Sequence, residues 1–481
     1  MTKKEDLTSW AHGKRGPDIL GHKFLRTWQI PFLFSFCCMN SYYGRVLLIC
    51  FCFVLCAMAI IPGKAHKENK REIQEDIDEI IRLNSDAGGK VTDSFVTWIE
   101  SADREELRKS AGGMVVNENC YIPTGRTSCA PQFIIAGSMK CGTTSLHTYL
   151  LDHPQVLPIK GNGKLNGREI LAQKEIRYFI DPLFSTLHKR VGPEGAKNQY
   201  FDLFENMPAP GNNKEKQLFS GDATPMYVCQ PTAAKRAYST LPEAKVIIMA
   251  RNPVDRMYSE FWFRASLKSN SHSSKQNQDS FASCIRTELK KMEYCGVLDV
   301  ARNLTLSSIT EFNSCVKTIG SKATRDRCKA PEYEGMCVPT EGAGFCVNKA
   351  VANSFYAAQI LSWQELYGDR LLVVNSDEFY AHTPSVMNRI ADFIGLDEFD
   401  WEPITKQAFN IVSPKANPDA HVVSNNHGGL FVGEMSADKT SSYPPLDKEL
   451  RAEFENFFDP LNQALTKLIG QPDFWSYSYK D

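Results

Sequence analysis

The spacing of apolar and polar positions divides the chain into segments of distinct kind. Residues 46–61 (VLLICFCFVLCAMAII) carry no charge, and with Pro62 and Gly63 they reach the short end of a membrane span. Residues 133–136 and 246–250 are short apolar runs bounded by glycine, arginine and proline. Each predicts a strand buried on both faces. From residue 143 a helix is predicted, with Leu146, Tyr149 and Leu150 on one face. Further on, the pattern predicts a helix over 349–367, a strand over 371–375 and a helix over 384–394. A last amphipathic helix follows Pro444-Pro445, with Pro460 expected to break it. Strands and helices alternating from about residue 131 predict a doubly wound α/β domain. Residues 270–345 interrupt the alternation. There a polar stretch, SNSHSSKQNQDS, leads into a cysteine-rich segment that reads as a loop-rich insertion over one face. No internal repeat is visible.

Charge and cysteines narrow the class. Net charge is −1, so nothing in the total points to nucleic acid. Five of the 15 cysteines, Cys37, Cys38, Cys50, Cys52 and Cys56, sit in or beside the apolar segment and read as packing or palmitoylation positions. Cys284, Cys295, Cys315, Cys328, Cys337 and Cys346 form an even cluster. They read as disulfide candidates in an oxidising compartment, because no CxxC pair supports the rival zinc reading. Six cysteines admit 15 pairings. Asn303-Leu304-Thr305 is a glycosylation sequon in the same stretch.

Two segments carry chemistry. In FIIAGSMKCGTTSLHTYLL, residues 133–151, a strand, a glycine loop and a helix start form an anion cradle. Backbone N–H groups and the helix dipole point at one spot, and Lys140 adds a cation. Gly137 and Gly142 have Walker A spacing, but Thr143 stands where that motif has its lysine. The second segment, AKVIIMARNPVDRMYSEFW, places Arg251 at the carboxyl end of a strand, Pro253 at a helix start and Ser259 further along that helix. The carboxyl edge is where open α/β sheets bind ligands. Arg251 offers a planar fork for phosphate, and Ser259 adds a hydroxyl. Taken singly, each segment is also compatible with a generic phosphate loop or a surface arginine.

Together they resemble the 5′-phosphosulfate loop and the 3′-phosphate site, R-[ND]-P-V-[DE]-R-x-x-S, of sulfotransferases that use 3′-phosphoadenylyl sulfate (PAPS). The resemblance covers roughly residues 131–475. It includes WQELYGDRLLVVNSDEF and FFDPLNQALTKLIG, which look like the family's helix–strand unit and C-terminal signature. With its cysteine-rich insertion the chain is most similar to N-acetylgalactosamine 4-sulfate 6-O-sulfotransferase and to heparan sulfate-type sulfotransferases.

The resemblance implies a P-loop-like parallel sheet flanked by helices. It also implies transfer of a sulfuryl group from PAPS to a hydroxyl of an anionic, glycosaminoglycan-like glycan, without a metal. Lys140 would hold the bridging oxygen of the leaving phosphate. Cys141, Gly142, Thr143, Thr144 and Ser145 would line the 5′-phosphate, and Arg251 and Ser259 the 3′-phosphate. Lys439 and Thr440 occupy the place of a basic loop over the 3′-phosphate. KEIRYF, residues 174–179, resembles the family's KE-[VI]-H-F-F stretch, which makes Glu175 the match for the general base. The chain departs from that pattern at Arg177 and Ile180, leaving Asp181 one residue out of register. A surface carboxylate paired with Lys174 is the plainer reading of Glu175. Asp222, in GDATPMY, is the second candidate: it would orient the base, touch the acceptor, or serve a turn. Lys160, Lys164, Arg168, Lys174 and Arg177 read as a basic rim for an anionic glycan.

The implied organisation is a cytosolic tail (1–45), a transmembrane signal anchor (46–63), a lumenal stem (64–128) and a catalytic domain (129–481) containing the insertion. Lys64, Lys67, Lys70 and Arg71 crowd the far side of the anchor, so the positive-inside rule read locally opposes a lumenal C-terminus. The cysteines and the resemblance override it and give a single-pass type II protein of the Golgi membrane. Ile73, Ile77, Ile80 and Ile81 share one helix face in the stem and would admit a homodimer. The competing functions are a P-loop kinase or NTPase, which needs a magnesium site and a Walker lysine, and a non-catalytic glycan-binding module.

Overall fold

The computed structural model describes residues 95–160, 174–204, 216–268, 278–319, 349–404 and 444–479. It adds short strand segments at Lys164–Leu165, Arg168–Glu169, Met207–Pro208, Gln407–Phe409, His421–Val422 and Phe431–Glu434. The tail, the apolar segment 46–63, the stem up to residue 94, Cys328, Cys337, Cys346, Lys439 and Thr440 lie outside the described residues. Among the described residues, no helix is long and apolar enough to cross a membrane.

The N-terminal part of the described chain packs into the domain. Residues 95–101 are helical, and α1 (Arg104–Ala111) starts on a capping box in which Asp103 and Glu106 satisfy each other's backbone N–H. A hairpin of β1 (Met114–Asn117) and β2 (Cys120–Ile122) follows, with a Cys120–Cys129 disulfide beyond it. Ile99, Leu107, Ala111, Cys120, Tyr121 and Cys129 belong to the main core. Buried Arg236 ties this region down, reaching Glu100 at 2.7 Å and Asp181 at 2.6 Å. Residues 95–128, expected in the stem, are therefore part of the packed unit. Their elements are short and mostly polar, so periodicity alone hides them.

The central sheet consists of β3 (Phe133–Gly137), β4 (Gly221–Ala223), β5 (Lys245–Ala250) and β6 (Leu371–Asn375). They are ordered β4-β3-β5-β6, and all neighbours are parallel. From β3 the chain goes to β4 on one side and then to β5 on the other. The switch point thus falls beside the carboxyl end of β3, where ligands of such sheets bind. Alternate side chains enter opposite cores, as a pleated strand requires. Phe133, Ile135, Ile247, Met249 and Val374 pack with α2 (Thr143–Asp152). Ile134, Ala136, Val246, Ile248, Ala250 and Val373 join the larger core on the other face. Burial of each large side chain contributes roughly 1.5–3 kcal/mol.

Helices cover both faces. In chain order after α2 they are α3 (Leu183–Phe201), α4 (Ala233–Tyr238), α5 (Pro253–Lys268), α6 (Gln278–Tyr294), α7 (Val297–Arg302), α8 (Leu306–Ile319), α9 (Tyr356–Tyr367), α10 (Ser376–Ala381), α11 (Thr383–Ile394) and α12 (Lys448–Ile469). Two expectations are corrected here. The described part of the insertion, 278–319, is helical and joins the core rather than forming loops. Phe281, Ile285, Leu289 and Met292 are buried along α6, and Phe281 meets Phe454 edge to face. That apolar stripe has helical spacing, and the neighbouring polar stretch obscured it. Pro460 also fails to break the last helix. Its lost hydrogen bond is offset by Phe454, Phe458, Leu461 and Leu465, buried on either side of it. Cys295 and Cys315 form a disulfide joining the α6 end to α8. Cys284 is also disulfide-bonded.

Candidate active site

β3 ends at Gly137, and the loop that follows curls over the end of β5. Ser138 N–H donates to the Met249 carbonyl at 2.9 Å, and Cys141 N–H donates to the Ser138 carbonyl at 3.2 Å. Gly142 then opens α2 at φ +87°. A Cβ there would stand 2.7 Å from the Tyr380 hydroxyl, so the position needs glycine on both counts. Among the described residues no side chain caps α2 at its N-cap, and its first turn can offer N–H groups to an anion. The buried Ser138 hydroxyl has no hydrogen-bond partner among the described residues.

Three cations converge on this loop. Lys140, itself at φ +69°, sets its ammonium 4.2 Å above the Phe263 ring. Burial, reinforced by the Arg251 guanidinium, lowers its pKa to about 8, with Glu260 opposing. Lys174 donates to Thr144 Oγ1 at 2.7 Å, and burial lowers its pKa with Glu175 opposing. Arg251 leaves the end of β5, with Nε 3.7 Å from Asp377 Oδ1. Asn252 follows as a helix cap, accepting from Val254 N–H at 2.9 Å, and Pro253 takes the first helical position. Ser259 lies on α5, buried, one turn before Phe263 on the same face. Arg256, the second arginine of the same motif, is turned inward. It bonds Ser354, Glu260 and the Ala350 carbonyl, so it holds the helix rather than a ligand.

Glu175 stands at the rim of this cluster. Its backbone N–H donates to the Ala223 carbonyl at 2.8 Å, which fastens it to the end of β4. Its carboxylate pairs with Arg177 at 2.5 Å and lies 3.9 Å from Lys174 Nζ. Asp222 sits beneath. It is fully buried and accepts from Tyr227 at 2.6 Å, Thr224 at 2.8 Å and Tyr200 at 3.3 Å. Burial raises its pKa to about 6, against the pull of those hydroxyls. Thr224 in turn accepts from Arg177 N–H at 3.2 Å. Asp222 is therefore enclosed beneath the 175–177 segment and linked to it through Thr224.

The structure thus brings together Lys140, Thr144, Glu175 and Arg251, and distinguishes others. Cys141 is a buried free thiol 3.7 Å from the Tyr356 hydroxyl, and its backbone N–H and carbonyl are taken by Ser138 and Ser376. The Ser145 side chain is fully buried and bonded to Tyr149 and Tyr380, so its hydroxyl points beneath the cradle. Asn303 is exposed at the end of α7. Sequence reasoning placed Lys174 on the acceptor rim and overlooked its contact with the helix start. It also missed Phe263, Tyr356 and the Cys120–Cys129 bridge. Only the cysteine pair left a direct signal, in its short spacing.

A family model described as the sulfotransferase domain matches residues 130–468. Membrane-associated sulfotransferase kil1 of Dictyostelium discoideum is 24% identical over 386 residues, covering 74% of this chain and 69% of that protein. Bifunctional heparan sulfate N-deacetylase/N-sulfotransferase 2 of Homo sapiens is 24% identical over 354 residues, covering 71% of this chain but 30% of that protein. The chain therefore spans under a third of that relative's length. A crystal structure of a sulfotransferase from Alicyclobacillus acidocaldarius, 21% identical, superposes with a TM-score of 0.38 over 73% of this chain and 99% of that one. With the greater part of its length matched, the chain belongs to the sulfotransferase domain family and is a sulfotransferase.

Proposed function

We propose that the protein transfers a sulfuryl group from PAPS to a hydroxyl of an anionic, glycosaminoglycan-like glycan. One observation carries the reading. Lys174 Nζ bonds Thr144 at the start of α2 and stands 3.9 Å from the Glu175 carboxylate, so a proton acceptor lies directly beside an anion cradle. Sulfuryl transfer needs that adjacency, because the attacking hydroxyl loses its proton as the donor phosphate gains charge.

The residues fit the donor. The uncapped N–H groups of α2, the Ser138 hydroxyl and Lys174 would hold the 5′-phosphate, and Arg251 and Ser259 the 3′-phosphate. Bound there, PAPS supplies an activated sulfuryl group whose leaving group is adenosine 3′,5′-bisphosphate. Lys140 is the cation for the charge that develops on that leaving group. Glu175 takes the acceptor proton, steadied by Arg177. Lys439 and Thr440 would close over the 3′-phosphate.

The same reading places residues 46–63 as a type II Golgi anchor with the catalytic domain in the lumen. The Cys120–Cys129 and Cys295–Cys315 disulfides and the exposed Asn303 sequon support an oxidising, glycosylating compartment. Transfer of radiolabelled sulfate from PAPS to a panel of glycosaminoglycans, with and without chelator, tests the reaction. Labelled polysaccharide is expected under both conditions. PAPS binding without transfer to any acceptor would leave a non-catalytic glycan-binding protein, and phosphate transfer from ATP would make the protein a kinase.

A further inference from the structure

We infer that Tyr356 is a positioning residue that fixes the spacing between the two phosphate sites. This inference rests on the donor reading above. Tyr356 is the first residue of α9 and is 2 % exposed. Its hydroxyl donates to the Arg251 carbonyl at 3.0 Å and accepts from the Arg251 N–H at 3.3 Å. It also lies 3.7 Å from the Cys141 thiol. A phenol has one donor and two acceptor positions, and these three contacts use all of them.

The sheet explains why the hydroxyl is needed. The ladder between β5 and β6 ends at Ala250 opposite Asn375, so the backbone of Arg251 has run past its strand partner. Buried N–H and C=O groups must be paired, and the Tyr356 hydroxyl takes the place of the next ladder residue. The same oxygen meets Cys141 in the loop after β3. One atom thereby joins the segment that holds the 5′-phosphate to the residue that holds the 3′-phosphate. From the other side, Ser376 donates to the Cys141 carbonyl at 3.0 Å, so the loop backbone is pinned as well.

A nucleotide with two phosphates gains affinity from both sites only if their spacing matches its own. Loss of the hydroxyl should therefore affect a bisphosphate more than a monophosphate. That difference separates positioning from a general loss of stability, which would weaken both ligands alike.

The test is calorimetric titration of the full chain and its Tyr356→Phe variant with adenosine 3′,5′-bisphosphate and with adenosine 5′-monophosphate. The expected result is a loss of about 5- to 10-fold in bisphosphate affinity, the worth of one or two neutral hydrogen bonds, with monophosphate affinity unchanged within twofold. Equal losses for the two ligands, or no loss for either, overturn the inference and leave the donor reading standing. Failure of the wild-type chain to bind the bisphosphate overturns both. Should Tyr356→Phe not fold, Cys141→Ala severs the loop arm alone. It is expected to show the same selective loss at about threefold, and an unselective loss or none would count against the coupling.

Discussion

Glu175 and Arg177 form an ion pair at 2.5 Å from two backbones that both lie in the left-handed region, at φ +58° and +60°. Non-glycine residues reach that region at a cost of roughly 1 kcal/mol each. The cost is offset locally. Glu175 N–H bonds the end of β4, and Arg177 N–H bonds Thr224, which rests on buried Asp222. With Ile176 buried between them, both side chains are turned toward the rim of the cluster. Arg177, one of the two departures from the family pattern, is thus the residue paired with the carboxylate.

Arg177→Ala follows from this pairing. It leaves the donor cradle intact and frees the Glu175 side chain. Turnover is expected to fall by roughly 10-fold through lost orientation, with affinity for adenosine 3′,5′-bisphosphate unchanged. Steady-state kinetics beside calorimetry checks this, and a loss of nucleotide affinity instead would move Arg177 into the donor site.

Lys140 predicts a trade between stability and activity. Its folded pKa of about 8 lies below the ordinary 10.5. Between those values the unfolded chain binds more protons than the folded one. The penalty is therefore complete below about pH 8 and is relieved as pH rises toward 10.5. Lys140→Met should raise unfolding stability at pH 7 by on the order of 1–3 kcal/mol, a gain that shrinks above pH 8. The same variant should lose roughly 10²–10³-fold in turnover. Chemical unfolding at pH 7 and 9.5 measures the first effect. A variant less stable than wild type at pH 7 would contradict the assigned burial cost.

The sequence made the loop after β3 and the end of β5 legible and left much of their surroundings obscure, for a physical reason. Arg251, Lys140 and the Gly142 start of α2 sit at a strand end, in the loop after a strand and at a helix start, where local pattern dictates position. Lys174 and Tyr356 act across 30 and 105 residues, through contacts to Thr144 and Arg251 that no local periodicity encodes. The strand expected over 371–375 is found there, at the sheet edge, because its apolar run pairs with β5 and buries Val373 and Val374. Residues 95–128 went unread as core because only a few side chains in each short element face inward. Phe281 to Met292 had helical spacing, but the cysteines beside them suggested loops.

Asp222 gives a prediction of opposite sign to Lys140. Its folded pKa is raised from 3.8 to about 6, so the folded state binds more protons than the unfolded state between those values. Its contribution to stability is thus greatest below about pH 4 and is lost as pH rises through about 6, by ~3 kcal/mol. Asp222→Asn removes that titration, and the Tyr200, Thr224 and Tyr227 hydroxyls can turn to meet an amide. Urea unfolding from pH 4 to 7 should show a flatter profile for the variant. Parallel profiles would mean that Asp222 does not titrate as a buried acid.

Glu175→Gln tests the base itself. The substitution keeps the length and hydrogen-bonding shape of the side chain but removes its ability to take a proton. It also weakens the pairing with Arg177 and Lys174, both of which face the carboxylate. If Glu175 accepts the proton of the attacking hydroxyl, turnover should fall by roughly 10²–10⁴-fold while adenosine 3′,5′-bisphosphate binds as before. Comparison with Arg177→Ala separates the chemistry from the placement, since that variant keeps the carboxylate. A deficit in Glu175→Gln no larger than in Arg177→Ala would reduce Glu175 to an orienting ion pair. Near-normal turnover in Glu175→Gln together with a dead Asp222→Asn would shift the proton transfer to Asp222. That outcome would require the 175–177 segment to lift away, because Asp222 is fully enclosed by Tyr200, Thr224 and Tyr227 where it now stands.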